Sequence, residues 1–155
     1  MRLNSTSRNG LWRFLLTRYL LVFAAANLLW ESIQLPLYTI SQSGSVATQA
    51  YAVIHCTIGD VLIALLSLVA AMAVFLPIGR SERAALLLAW GLAISYTMFS
   101  EWFNTRISFA WQYADVMPTI LGIGLSPLVQ WILIPPVCYL LANRTLHHRQ
   151  KHQQI

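Results

Sequence analysis

Acids, amides and one imidazole set within apolar sequence are the residues of this chain that could do chemistry. Asp60 lies near the middle of an apolar run from Tyr51 to Gly79 that contains no Lys or Arg. A carboxylate in hydrocarbon costs several kcal/mol unless it is protonated, paired or bound to a cation, so such residues mark functional sites by default. Asp60 is therefore the first candidate for a functional group.

Six further residues are candidates for a ligand or cation pocket, because they lie toward the same side of the predicted membrane. Glu31 and Gln34 are three residues apart, so they share one helix face. His55 and Asp60 are five residues apart, about 140° around a helix, so a direct His–Asp pair within that helix is not expected. The seven candidates are Asp60, His55, Glu31, Glu101, Gln34, Gln130 and Arg106.

Acidic residues are concentrated on this side. Four of the five acidic residues lie there, whereas Arg106 is the only basic residue among the ten that does. We expect Arg106 to form a salt bridge with Glu101 or Asp115, with contact to an anionic substrate as the alternative. A group of carboxylates with little positive charge nearby concentrates cations, so the pattern predicts an acidic, outward-facing pocket.

Long apolar stretches must position these side chains. The chain is 57% hydrophobic and 10% charged, against about 25% charged residues in a soluble domain. A bilayer core about 30 Å thick needs about 20 apolar residues per helical span. Four stretches meet this length, so we predict a single all-α domain of 155 residues, a multi-pass four-transmembrane-helix bundle with spans at 11–34, 51–78, 84–103 and 119–142.

The basic residues predict the orientation of the bundle. Nine of the ten flank one side of the spans, which by the positive-inside rule places both termini in the cytoplasm. This placement favours the lipid bilayer as partner and argues against nucleic acid, which would need a basic groove on a folded surface. The nine residues are Arg2, Arg8, Arg13, Arg18, Arg80, Arg83, Arg144, Arg149 and Lys151.

The segments around the spans give further expectations. The outer loops are predicted at 37–49 and 105–118, the second forming a short interfacial helix. Pro127, Pro135 and Pro136 predict a kinked fourth span whose freed carbonyl groups need partners inside the bundle.

The apolar run near the N-terminus continues past Ala24–Ala26, so we expect an uncleaved first helix rather than a signal peptide. Both cysteines, Cys56 and Cys138, fall inside spans, which gives thiol chemistry no support.

Three classes of function fit this pattern. The first binds or moves a cation or proton, for which four helices are few, so it implies a homo-oligomer. The second is a membrane-embedded enzyme in which carboxyl and imidazole groups act on a lipid or other apolar small molecule. The third is an accessory or assembly protein whose polar groups only hold helices together. The sequence does not choose between them, and it assigns no metal and no cofactor.

The second half of the chain contains the segments Ser100–Asn104, Trp111–Tyr113, Met117–Pro118 and Gly122–Trp131. In these segments it resembles a group of small, uncharacterised bacterial membrane proteins. The resemblance implies a bacterial inner-membrane location and assigns no catalytic residues. The signatures of the four-helix membrane thiol oxidoreductases are absent from the sequence.

Overall fold

Five α-helices and one short hairpin make up most of the part of the chain that the structure describes. The structure is a computed structural model that describes residues 15–75 and 82–152. A π-helical turn, Leu15–Tyr19, leads into the first helix, and a 3-10 turn, Leu35–Leu37, follows it. In chain order the elements are α1 (Leu20–Gln34), α2 (Ile40–Ser43), α3 (Val46–Phe75), α4 (Glu82–Arg106), β1 (Thr119–Ile120), β2 (Ile123–Gly124) and α5 (Leu125–His152).

Four segments of the described chain are long and apolar enough to cross a membrane: Leu16–Leu37, Val46–Phe75, Arg83–Arg106 and Leu125–Ala142. The outward faces of the bundle are apolar as well, since leucines such as Leu29, Leu66 and Leu87 are exposed. A helix that is apolar on all sides is typical of a membrane span. The predicted all-α bundle of four spanning helices is confirmed, and the chain is a multi-pass membrane protein by the length and composition of its helices.

The four long helices form a ring. α1 packs on α3 and α5, and α4 packs on the same two helices, so neighbours run in opposite directions. One apolar core joins α3 to α4 through Leu68, Met72 and three alanines, Ala71, Ala85 and Ala89. Small residues of this kind let the two backbones approach closely. A second core joins α1, α4 and α5 through Phe23, Ala93, Trp131, Ile134 and Cys138.

The third helix begins five residues before the predicted span at 51. Ser45 caps it, because the Ser45 hydroxyl accepts a hydrogen bond from the Thr48 backbone N–H at 3.2 Å. Part of the loop predicted at 37–49 is therefore helical, and α2 occupies another part of it. The predicted ends at 11–14 and 76–78 lie outside the described residues.

The start of the predicted fourth span was wrong. Residues 119–124 form an antiparallel hairpin in which Thr119 pairs with Gly124 and Ile120 with Ile123. Its two turn residues, Leu121 and Gly122, have φ angles of 51° and 79°, as a mirror-image two-residue turn requires. The hairpin is apolar enough to resemble the start of a span in sequence, but α5 begins only at Leu125.

The two loops predicted at 37–49 and 105–118 pair with each other over one end of the bundle. Tyr38 and Tyr113 form an antiparallel bridge, flanked by hydrogen bonds from Thr39 N–H to the Gln112 carbonyl at 3.1 Å and from Ala114 N–H to the Leu37 carbonyl at 2.9 Å. The interfacial helix predicted at 105–118 is absent, since α4 ends at Arg106 and no helix follows within 107–118. We call residues 35–45 and 107–124 the cap.

A proline pair lies inside α5. Because proline has no N–H, Pro135 leaves the carbonyl of Trp131, four residues earlier, without its helical donor. The indole N–H of Trp90 on α4 donates to that carbonyl at 2.7 Å. The expectation that a freed carbonyl finds a partner inside the bundle is confirmed at this position.

Candidate functional site

Polar side chains from three helices meet at the capped end of the bundle. Glu31 lies about 9 Å along the helix axis from Leu37, and Gln130 lies about 7.5 Å from the first residue of α5. Asp60 lies at the same level as these two residues, although it is at the middle of the longer α3. We call Asn27, Glu31, Gln34, Asp60, Ser126 and Gln130 the carboxyl–amide cluster.

Gln130 is the centre of this cluster. Its Nε2 atom donates to Asp60 Oδ2 at 2.8 Å, to Glu31 Oε1 at 2.9 Å and to Asn27 Oδ1 at 2.8 Å. The side chain is 2% exposed. Because α3 and α5 lie diagonally across the ring, the bond between Gln130 and Asp60 crosses the middle of the bundle.

Gln34 completes the network near the cap. Its Nε2 atom donates to Glu31 Oε1 at 2.8 Å, as expected for residues three apart on one helix. Its Oε1 atom accepts from the Ser126 hydroxyl at 2.7 Å and from the Trp30 indole N–H at 3.1 Å. The amide thus presents its nitrogen to a carboxylate and its oxygen to two donors, so both of its ends are satisfied.

Glu31 and Asp60 form a carboxyl pair. They share the Gln130 nitrogen and interact directly with each other, and the Trp131 indole lies beside Asp60. Asp60 is 8% exposed and Glu31 is similarly buried. Among the described residues no Lys or Arg side chain contacts either carboxyl group. Two neighbouring carboxyl groups without a cationic partner suit the sharing of one proton, because two adjacent buried negative charges repel.

Glu101 is held by the cap. The Tyr113 hydroxyl donates to Glu101 Oε2 at 2.5 Å and accepts from the Gly124 N–H at 2.9 Å. Burial and the nearby Glu101 charge raise the pKa of Tyr113, so its phenol stays a donor at neutral pH. Burial, together with Glu101, Tyr113 and Glu31, likewise raises the pKa of Tyr38. The ring centroids of Tyr38 and Tyr113 are 5.6 Å apart.

Arg106 does not pair with Glu101 or Asp115, contrary to the expectation from sequence. Its guanidinium group lies against the hairpin at Gly122, where an added Cβ atom would come within 2.6 Å of Nη2. Gly122 therefore provides both the positive φ angle of the turn and the space for Arg106. Asp115 is exposed. Arg106 therefore packs against the hairpin and lies outside the carboxyl–amide cluster.

His55 is also not brought into the cluster. Its side chain is exposed on the outer surface of α3, where its ring stacks on Tyr51 with centroids 5.6 Å apart. The five-residue separation from Asp60 already argues against a direct pair. Of the seven candidate residues, the structure joins Asp60, Glu31, Gln34 and Gln130 by hydrogen bonds and places Glu101 within electrostatic range of Glu31.

The described residues contain no group of three or more His, Cys, Asp or Glu side chains placed to bind a metal ion. Cys56 does lie within electrostatic range of Glu31, Asp60 and Glu101. The three buried acids therefore surround one region of the bundle, although they do not converge on one point.

Two residues that contribute to the site, Asn27 and Tyr113, were not predicted as site residues from the sequence. Asn27 accepts from Gln130 while its own Nδ2 atom donates to the Phe23 carbonyl at 2.7 Å. Its spacing from Glu31 and Gln34, four and seven residues, places all three on one helix face and could have identified it. The bond from Tyr113 to Glu101 joins the cap to α4 and has no comparable signal in local spacing.

No protein family, curated protein or solved structure shows significant similarity to this chain.

Proposed function

We propose that this chain is a small integral protein of a bacterial inner membrane whose carboxyl–amide cluster binds or moves a proton, or a cation in its place. Both termini would be cytoplasmic, so that the cap and the cluster face the periplasm. The positive-inside distribution of basic residues supports this orientation. The resemblance to small bacterial membrane proteins supports the location.

The Glu31–Asp60 pair carries the proposal. A single amide nitrogen binds both carboxyl groups, and no Lys or Arg of the described segments neutralises them. In a low-dielectric site such a pair holds one shared proton more readily than it holds two negative charges. Intramembrane acids of this kind commonly belong to proton relays.

Infrared spectroscopy of the protein in liposomes tests the proposal. Acidification should increase the carboxylic-acid carbonyl signal of the wild type, and Asp60→Asn and Glu31→Gln should each reduce that increase. Both substitutions keep the size of the side chain. Asp115→Asn is the matched control, because Asp115 is an exposed acid of the cap. The proposal fails if Asp60→Asn gives the wild-type difference spectrum.

Proton movement needs a separate measurement. Liposomes with a trapped pH-sensitive dye and an imposed membrane potential should acidify faster with the wild type than with Asp60→Asn. Sodium and potassium gradients in place of the proton gradient test the cation alternative. Movement through four helices implies a homo-oligomer, which native mass spectrometry of the protein in lipid nanodiscs would detect. A monomer that changes its carboxyl signal without flux would be a proton-binding protein and not a transporter.

A structural role is the second candidate, because Gln130 joins α1, α3 and α5 through hydrogen bonds to Asn27, Glu31 and Asp60. This candidate would make the protein an accessory or assembly component. It predicts that Asp60→Asn, which can still bond to Gln130, leaves every proton measurement unchanged while Asp60→Leu destabilises the bundle. The enzyme alternative stays a prediction, for which mass spectrometry of co-purified lipids is the direct test.

A further inference from the structure

Two buried hydrogen-bond donors in the described residues lack a partner, and both lie beside Glu101. They are the Thr97 hydroxyl and the Trp111 indole N–H. Thr97 lies four residues before Glu101 on α4, so both side chains occupy one helix face. The Trp111 indole approaches the Glu101 carboxylate from the cap without forming a well-directed hydrogen bond with it.

Thr97 differs from other helical hydroxyl residues of this chain. Thr57, Ser95 and Thr105 each donate to the backbone carbonyl four residues earlier, at 2.8, 2.8 and 2.6 Å. Thr97 makes no such bond although it is only 5% exposed. Buried polar groups in native proteins are satisfied by protein atoms or by ordered water. A hydroxyl that does not use its own helix is available to bind water.

The position of these donors connects the cap with the carboxyl pair. Glu101 is bonded to Tyr113 of the cap on one side and lies within electrostatic range of Glu31 on the other. Cys56 lies within electrostatic range of Glu101 and of both members of the pair. Thr97, on the interior face of α4, is one helical turn further from the cap than Glu101. The polar groups thus continue from the cap to Glu101, which lies at about the level of Glu31 and Asp60, and one turn further into the bundle at Thr97.

We infer that Thr97, Trp111 and Glu101 form a buried hydration site through which protons reach the Glu31–Asp60 pair from the capped side. This inference rests on the proposed function. Water bound at the site gives a proton to the carboxylate pair, which forms one carboxyl O–H bond. The resulting hydroxide takes a proton from the next water toward the cap, so no net charge is left in the site. Thr97 and Trp111 position the water, and Glu101 accepts its hydrogen bond.

Proton-uptake kinetics after a pH jump, followed by the infrared signal of the carboxyl pair, test this inference. Thr97→Val removes the hydroxyl without changing the shape of the side chain. We expect it to slow uptake about tenfold, which corresponds to about 1.4 kcal/mol in the barrier, with the final amplitude unchanged. Thr97→Ser retains a hydroxyl and should keep the wild-type rate. Ser95→Ala, which removes an exposed hydroxyl on the same helix, should also leave the rate unchanged.

Trp111→Phe gives a second measurement that does not depend on the folding of the Thr97 variant. It should slow uptake as well, because it removes the indole donor. Wild-type rates in both Thr97→Val and Trp111→Phe would overturn the hydration route. The carboxyl signal and its loss in Asp60→Asn would remain in that case, and the proposed function would stand. A wild-type signal in Asp60→Asn would instead overturn the proposed function itself.

Discussion

At the scale of single residues, Gln130 determines how the buried acids are held. An amide nitrogen has two hydrogens, yet three oxygen atoms lie within 2.9 Å of it. The acceptors therefore compete for its two N–H groups, which leaves part of the bonding capacity of the carboxyl oxygens available for a proton between Glu31 and Asp60. Stability and the proposed proton binding thus depend on the same side chain.

Gln130→Leu should destabilise the bundle by about 1–3 kcal/mol, since it leaves buried acceptors without their donor. Hydrogen bonds between membrane helices average only about 0.6 kcal/mol each, so the two N–H groups of Gln130 account for about 1.2 kcal/mol, and a larger loss reflects buried acceptors left without a donor. Chemical unfolding in mixed micelles measures the change. Gln42→Leu is the control, because Gln42 is exposed in the cap. Equal stability of the two variants would contradict a structural contribution from Gln130.

At the scale of elements, α4 and α5 are joined by a side-chain hydrogen bond that replaces a backbone hydrogen bond missing from α5. Pro135 and Pro136 interrupt the hydrogen bonding of α5, and in a membrane an unsatisfied carbonyl has no water to bind. The Trp90 indole satisfies the carbonyl of Trp131. The same residue, Trp131, presents its side chain to Phe23 and Asp60. Trp131 therefore links the proline pair, through its backbone carbonyl, to the carboxyl pair, through its side chain.

A double-mutant cycle tests this connection. Trp90→Phe should cost about 1–3 kcal/mol in the wild type, because the Trp131 carbonyl loses its donor. In a Pro135→Ala background the new N–H can bond to that carbonyl, so the same substitution should cost less. The coupling energy should fall within about 0.5–3 kcal/mol. Unfolding midpoints of the four proteins in one detergent give the cycle, and strictly additive effects would show that Trp90 acts only through packing of its ring.

At the scale of the whole molecule, the lengths of the apolar stretches predicted the spans, because the thickness of a bilayer fixes how many consecutive residues must be apolar. They did not predict the ends of the spans, which depend on local chemistry such as the Ser45 cap and the turn at Leu121 and Gly122. The cost of a buried carboxylate identified Asp60, and a position toward the same side of the membrane identified Glu31. Their meeting through Gln130 across the ring, and the outward position of His55, follow from helix packing and are not encoded in local spacing.

Under the proposed function, the orientation of the molecule decides which compartment supplies the proton. In the orientation that we propose, four spans leave both termini on one side, and the positive-inside distribution of basic residues assigns that side to the cytoplasm. A single cysteine in a Cys56→Ala, Cys138→Ala background can test this in spheroplasts with a membrane-impermeant maleimide. Ala110→Cys, at an exposed position of the cap, should be labelled in intact spheroplasts, whereas Ser7→Cys should be labelled only after lysis. The reverse pattern would place the cap in the cytoplasm, and the carboxyl pair would then take its proton from that side.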